Sequence, residues 1–252
     1  MFEQVKKQSL SNAVFEQLRD RIVRGEMEVG DPLPAERVLA EKLGVNRSAV
    51  REGLKRLEQA GLVAIQQGGK TKVLNFKKTG GLELLAAMMV KEGGHINTGV
   101  ARSVLEMRNT LAPDAARLCA KRCSDEIASQ LDDIVTEMYN HRQDLSMLQK
   151  LALVFWQTII QGSDNVGYQL AFNSLDMTYG QVLEHFTLVL QEEFESIDLY
   201  QDILNSISHG DGEKAFQKSK QLVAKGAQAM ESVLAEIDKA QTQEVPRATG
   251  GR

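Results

Sequence analysis

Apolar positions recur along this chain at helical spacing, and the places where the spacing breaks divide it. In residues 11 to 24, SNAVFEQLRDRIVR, Val14, Leu18 and Ile22 stand at i, i+4 and i+8, with Arg19, Asp20 and Arg24 off the stripe. That pattern predicts an amphipathic helix closed by Gly25. The segment GEMEVGDPLP is turn-rich, and Pro34 suits the first turn of a second helix, AERVLAEKLG, which Gly44 ends. Asn46, a good N-cap, opens a third helix, NRSAVREGLKRLEQAG, which stops at Gly61. Helix, short turn and helix in this order make a helix-turn-helix. The period then shortens to two strand-like runs, LVAIQQ and TKVLNF, joined through Gly68 and Gly69, a pair suited to a hairpin turn. Three helices and a β-hairpin predict a winged helix-turn-helix over residues 1–78.

Beyond Gly80 and Gly81 the helical period returns and stays. GLELLAAMMVKEGG is one short apolar helix, and VARSVLEMRNTLAPDAARLCAKRC carries Val104, Met107, Leu111 and Ala115 on one stripe. SDEIASQLDDIVTEMYNHRQ opens on an imperfect capping box at Ser124. Further helices are predicted over 147–161, 168–193, 197–209 and 212–239. The fold class is therefore mostly α, with an all-helical bundle over 79–240 behind the winged domain. The tail from Gln241, residues 241–252, has no periodicity and reads as disordered.

Charge sharpens this division. Residues 1–78 carry 15 Lys and Arg against 10 Asp and Glu, while the remaining 174 carry 15 against 24. A net charge of -4 thus hides a basic segment joined to an acidic one, as expected when one part meets a polyanion and the other does not. The two cysteines, Cys119 and Cys123, lie four apart on one helix face with no second Cys or His pair beside them, which predicts reduced thiols rather than a zinc site. No run approaches the length of a membrane span, and MFEQVKKQSL lacks the apolar core of a signal peptide, so a cytoplasmic protein that makes no membrane contact is expected.

The third helix carries the chemistry. Val50, Leu54 and Leu57 form its buried stripe, leaving Arg47, Ser48, Arg51 and Lys55 to project elsewhere. A recognition helix needs this division, because apolar residues grip the neighbouring helices while short polar and guanidinium groups reach bases and phosphates. Arg37, one turn into the second helix, is placed to meet the DNA backbone. Gln67, Lys70 and Lys72 extend the basic surface onto the wing. Gly69, Lys70 and Thr71 spell the end of a P-loop, but the required first glycine falls on Ala64 and a strand follows instead of a helix. No GxSxG, HExxH or paired-carboxylate motif stands elsewhere, so no enzyme is expected.

The stretch LPAERVLAEKLGVNRSAVREGLKRLEQAGLV, from Leu33 to Val63, resembles the DNA-binding domain of the GntR family of bacterial transcription regulators. One departure is Ala35, where the family often has a serine that caps the second helix better. The segment Gly61 to Leu85 is similar to the FadR group of fatty-acid regulators within that family. The resemblance implies a homodimer on palindromic double-stranded operator DNA, released by long-chain acyl-CoA, repressing fatty-acid degradation and activating unsaturated fatty-acid synthesis. It places DNA contacts on Arg37, Asn46, Arg47, Ser48, Arg51 and Gln67, and an effector-proximal arginine on Arg108, with Trp156 beside it. A sister class of the family binds a divalent metal through one acidic and three His ligands. Those imidazole positions fall here on Trp156, Tyr200 and Leu222, and His95, His141, His185 and His209 fall elsewhere, which implies no metal and no other cofactor. Leu222 and Met230 stand where the fatty-acid group carries aromatics near its ligand, and read equally as ordinary core. A regulator answering to another small metabolite, such as an organic acid, or to none, is the alternative.

Overall fold

The computed structural model describes residues 10–66, 70–179 and 187–243, and the chain divides into two compact units, Met1–His95 and Ile96–Arg252. In the first, α1 (Leu10–Val23), α2 (Glu36–Leu43) and α3 (Arg47–Gln59) precede β1 (Val63–Ile65) and β2 (Thr71–Val73). Val14, Leu18 and Ile22 of α1 and Val50, Leu54 and Leu57 of α3 are buried in one core with Leu39, Leu62 and Val73. The i, i+4 stripes thus become the helix interfaces. Gly44 closes α2 in the left-handed conformation, and Asn46 caps α3 by accepting from Ala49 N at 2.8 Å. At the start of α2, Ala35 gives no side-chain cap, and Pro34 lies two residues before the first helical residue, not in the first turn.

The strands pair antiparallel, Val63 with Val73 and Ile65 with Thr71. A third edge absent from the sequence reading joins them: Leu33 N donates to Thr71 O at 2.8 Å, and Val73 N donates to Asp31 O at 3.0 Å. These bonds satisfy the outer edge of β2, which would otherwise stay unpaired. The hairpin turn expected at Gly68 and Gly69 lies outside the described residues. Phe76, expected in a strand, opens a short helix α4 (Phe76–Thr79) instead. Gly61, at φ +68°, fixes that helix, since a Cβ there would stand 2.1 Å from Thr79 O, and Thr79 Oγ1 donates to Gly61 O at 2.6 Å. The first unit passes the Lys78 boundary because α5 (Leu84–Met88) buries Leu84 in the winged core.

Among the described residues the regular elements of the second unit are all helices: α6 (Thr98–Arg122), α7 (Asp125–Asn140), α8 (Leu145–Gly162), α9 (Val166–Tyr179), α10 (Gln191–Phe194), α11 (Ile197–Ser208) and α12 (Gly212–Gln243). The long pair α6 and α12 runs antiparallel, because Thr98 and Arg102 bond Asp238 at one end while Gly212 abuts Arg117 O at the other. Asn97, Ser124 and Asp144 cap α6, α7 and α8 through side-chain oxygens, as their residue types favour. Phe155, Ile159, Tyr200, Ile203 and Leu222 are buried at the centre. The single helix expected over 168–193 is two, with a turn at 187–190 between α10 and residues 180–186, which lie outside the description. At the C-terminus α12 runs through Gln243, so the first three residues of the expected tail are helical; the rest lie outside the described residues. Both cysteines are free thiols, Cys119 buried and Cys123 half-buried. Among the described residues no helix is long and apolar enough to cross a membrane.

Candidate nucleic-acid interface and effector cavity

One face of α3 stays open once its apolar stripe is buried. Arg47, Ser48 and Arg51 are exposed there, at the N-terminal end where the helix dipole also favours an anion. Arg47 makes no hydrogen bond or ion pair with any described residue, so all five of its donors remain for bases or phosphates. Arg51 is different: its Nε and Nη2 donate to the two carboxylate oxygens of Glu36 on α2, at 3.2 and 2.9 Å. That hydrogen bond, ahead of the guanidinium charge, holds the Glu36 carboxyl below its ordinary value. The pair ties α2 to α3 and leaves Nη1 of Arg51 pointing outside it. Asn46 spends its side-chain oxygen on the cap, which leaves its amide group to donate. Arg37 is exposed and pairs with Glu41 on its own helix at 2.8 Å. On the wing, Lys72 of β2 and Lys70 are exposed, while Gln67 lies outside the described residues. The lysines and α3 thus form a basic surface wholly within the first unit.

The second unit holds a cavity of about 130 Å³ that is partly open to solvent. Its walls are the apolar faces of α6, α8, α9 and α10: Leu111, Leu153, Ile160, Phe172, Leu175 and Phe194 supply most of the surface. Arg108 and Trp156 both line it, and Arg108 is paired within the protein. Its Nη1 donates to Glu193 Oε2 at 3.1 Å, and its Nη2 donates to Glu193 Oε1. Glu193 is fully buried, and charge buried in apolar surroundings needs such a partner. Sequence reasoning missed Glu193, because QEEFES reads as a solvated run and nothing local marks which glutamate turns inward. Tyr168 also lines the cavity and donates to Asp114 at 2.9 Å, holding α9 against α6. Trp156 stacks edge-on to Phe155, and Phe155 edge-on to Tyr200, with ring centroids 5.9 and 5.0 Å apart.

Trp156, Tyr200 and Leu222, the positions of the sister-class imidazoles, are all buried. Burial pushes the Tyr200 hydroxyl well above its ordinary value, with the Glu193 charge adding to it. Among the described residues no group of three or more His, Cys, Asp or Glu could hold a metal. His141 and His209 end α7 and α11 and His95 is exposed, while His185 lies outside the described residues. Leu222 and Met230 are buried in the bundle, and neither lines the cavity.

Residues 10–73 match the gntR family of bacterial regulatory proteins, and residues 103–225 match the FCD domain. The HTH-type transcriptional regulator Mce2R of Mycobacterium tuberculosis is 33% identical over 230 residues, covering 91% of this chain and 95% of that one. A fatty acid metabolism regulator protein of Pasteurella multocida is 32% identical over 183 residues, covering 71% and 72%. The solved structure of Lar, described as controlling the Listeria monocytogenes agr system, matches with a TM-score of 0.54 at 18% identity, over 92% of this chain and 100% of that one, a likeness of fold alone. A basic winged helix-turn-helix followed by a helical FCD domain, with relatives that are transcription regulators and not enzymes, places the chain in the GntR family of DNA-binding transcription regulators.

Proposed function

We propose that the chain is a FadR-like regulator of fatty-acid metabolism that binds a palindromic operator as a homodimer and lets it go when long-chain acyl-CoA enters the helical domain. The observation that carries this reading is the cavity itself, which is walled by Leu, Ile and Phe side chains and whose lining arginine is already paired. An aliphatic chain suits such walls, whereas a small organic acid needs a cation that is not spent on the protein. Burial of the chain supplies the affinity at about 0.8 kcal/mol per CH₂, close to fourfold per carbon. A homodimer follows from the DNA side, since one winged domain offers few base contacts and a twofold pair doubles them in register with a palindrome.

Release needs the ligand to favour the form that binds DNA poorly; a hundredfold loss of operator affinity takes about 2.7 kcal/mol of differential binding. Titrating labelled operator DNA, obtained by selection from random sequence, with the protein in the presence of C8 to C18 acyl-CoA tests it. The expected result is release that steepens with chain length. Equal release by free CoA, or none by any acyl-CoA, overturns the acyl reading and leaves the DNA-binding one standing.

A further inference from the structure

We propose that Glu58 is the positioning residue of the wing: its carboxylate ties the outer end of β1 to the recognition helix, which sets Lys70 and Lys72 against DNA phosphates. This inference rests on the reading of those two lysines as DNA contacts. It begins from a charge of the wrong sign. Arg47, Arg51, Lys55 and Glu58 follow one another at i, i+4, i+8 and i+11, along one exposed stripe of α3. A carboxylate at the end of that stripe repels the polyanion this unit binds. Nor is its charge neutralised nearby: Lys55 pairs with Glu52 at 3.2 Å, and Glu58 makes no ion pair with any described residue. What its side chain does engage is one backbone donor, Ile65 N, from which Oε1 accepts at 2.9 Å.

That bond falls where the wing has little else to hold it. Burial fades along β1, from Val63 at 0% exposed to Ile65 at 37%, so apolar packing fixes only the inner end of the strand. At that inner end Leu62 N also donates to Leu57 O at 2.9 Å. The two edges of the hairpin are secured in different ways. Along β2 the main chain does it, with Gly30 N donating to Val73 O, Val73 N to Asp31 O and Leu33 N to Thr71 O, at 2.8 to 3.0 Å. Along β1 the Ile65 N–H meets the Glu58 side chain instead of a neighbouring strand. With the carboxylate gone, that donor turns to water and the end of β1 is free to part from α3. Lys72 rides on this strand pair: it stands opposite Ala64 of β1, is exposed, and makes no ion pair with any described residue. Lys70, whose carbonyl accepts from Gln66 N at 2.8 Å, continues the same hairpin. A cation on a loose hairpin loses part of its phosphate contact to conformational entropy, and a tied one keeps it.

Anisotropy titrations of the full chain on a labelled random-sequence duplex, at several salt concentrations, separate position from charge. Glu58→Gln and Glu58→Met both delete the charge and keep the length of the side chain, but only Gln keeps an acceptor. Charge alone would make both bind DNA more tightly, and equally so. The expected result is that Glu58→Gln binds at least as tightly as the unaltered chain. Glu58→Met should bind about fivefold more weakly than Glu58→Gln and lose about 1 from its salt slope, as one phosphate contact would. In a Lys70→Ala, Lys72→Ala background the Gln and Met variants should differ by less than about twofold, because the contacts that the tie serves are gone. Should Glu58→Met not fold, Glu58→Ala takes its place in the comparison. Equal affinity of Glu58→Gln and Glu58→Met overturns the positioning role while leaving the lysines as contacts. A gap that persists undiminished in the double-lysine background overturns it too, and assigns the bond to the stability of the fold. An unchanged salt slope in the Lys70→Ala, Lys72→Ala chain overturns the wing reading and this inference with it.

Discussion

The same two side chains meet twice in this protein, once on the face of the winged unit and once inside the helical one. Arg51 and Glu36 lie 2.9 Å apart with side chains 61% and 34% exposed. Arg108 and Glu193 make the same two-pronged contact with 16% and 0% exposure. On the surface, water and salt compete with every bond, so the pair is weak. Inside, neither partner has anywhere else to put its charge, so the pair behaves as a fixed part of the wall. Environment, more than chemistry, makes one pair an exchangeable contact and the other a permanent one.

The comparison is broken most severely from the inside. Removing one buried partner, by Arg108→Met or Glu193→Leu, leaves an uncompensated charge and should cost about 3 to 5 kcal/mol. For a domain of this size that lowers the calorimetric unfolding transition of the helical unit by about 6 to 20 °C. The double variant replaces the pair with apolar side chains and should recover most of the loss, because the two sites act as one. A double variant as unstable as the worse single one would show that packing, not charge, holds this wall.

How much of either pair could be read in advance differs for the same physical reason. The helix-turn-helix announces itself locally: Gly44, Asn46 and the stripe Val50, Leu54, Leu57 each act within one or two turns, and the positions between them are left exposed by elimination. Arg108 and Trp156 were legible only through family likeness. Glu193 was not legible at all, since its burial depends on Gly226, 33 positions away, and on a break in the helix expected over 168–193. The third edge at Asp31–Leu33 was hidden too, because the run from Gly30 to Pro34, with two prolines and a glycine, carries turn signals even where part of it lies along a strand. Long-range placement, not local propensity, separates what was visible from what was not.

On the DNA face the effect is smaller and separates the two arginines of α3. Arg47 has every donor available, and if it clamps a guanine its loss should cost about 1 to 3 kcal/mol and relax preference at one base pair. Arg51→Ala should weaken operator binding less, only severalfold, since two of its donors serve Glu36. Lys72→Ala should weaken specific and random DNA alike and lower the salt slope by about 1. Fluorescence anisotropy at several salt concentrations reads all three. A larger loss for Arg51→Ala than for Arg47→Ala would mean that DNA takes Arg51 away from Glu36 altogether.

The smallest expected effect belongs to the surface pair alone, and its sign can be worked out. Glu36 has its carboxyl pKa lowered in the folded chain, first by the hydrogen bond from Arg51 and then by that residue's charge. A group depressed on folding stabilises the fold above its unfolded value, and the contribution fades as pH falls through the lower folded one. Wild type should therefore be slightly more stable than Glu36→Gln at neutral pH, with the two converging in the acid range below the ordinary carboxylate value. Solvent and salt screening reduce even this difference. On DNA the sign reverses: Glu36→Gln removes a negative charge from the binding face and releases two donors of Arg51, so affinity for all sequences should rise modestly and the salt dependence steepen. Denaturant titrations at pH 7 and pH 3.5, with anisotropy on operator and random DNA, measure both. Should Glu36→Gln instead lose operator affinity at unchanged stability, the pair would be needed to aim Arg51 at its base, and the exchangeable contact would be as fixed in function as its buried counterpart.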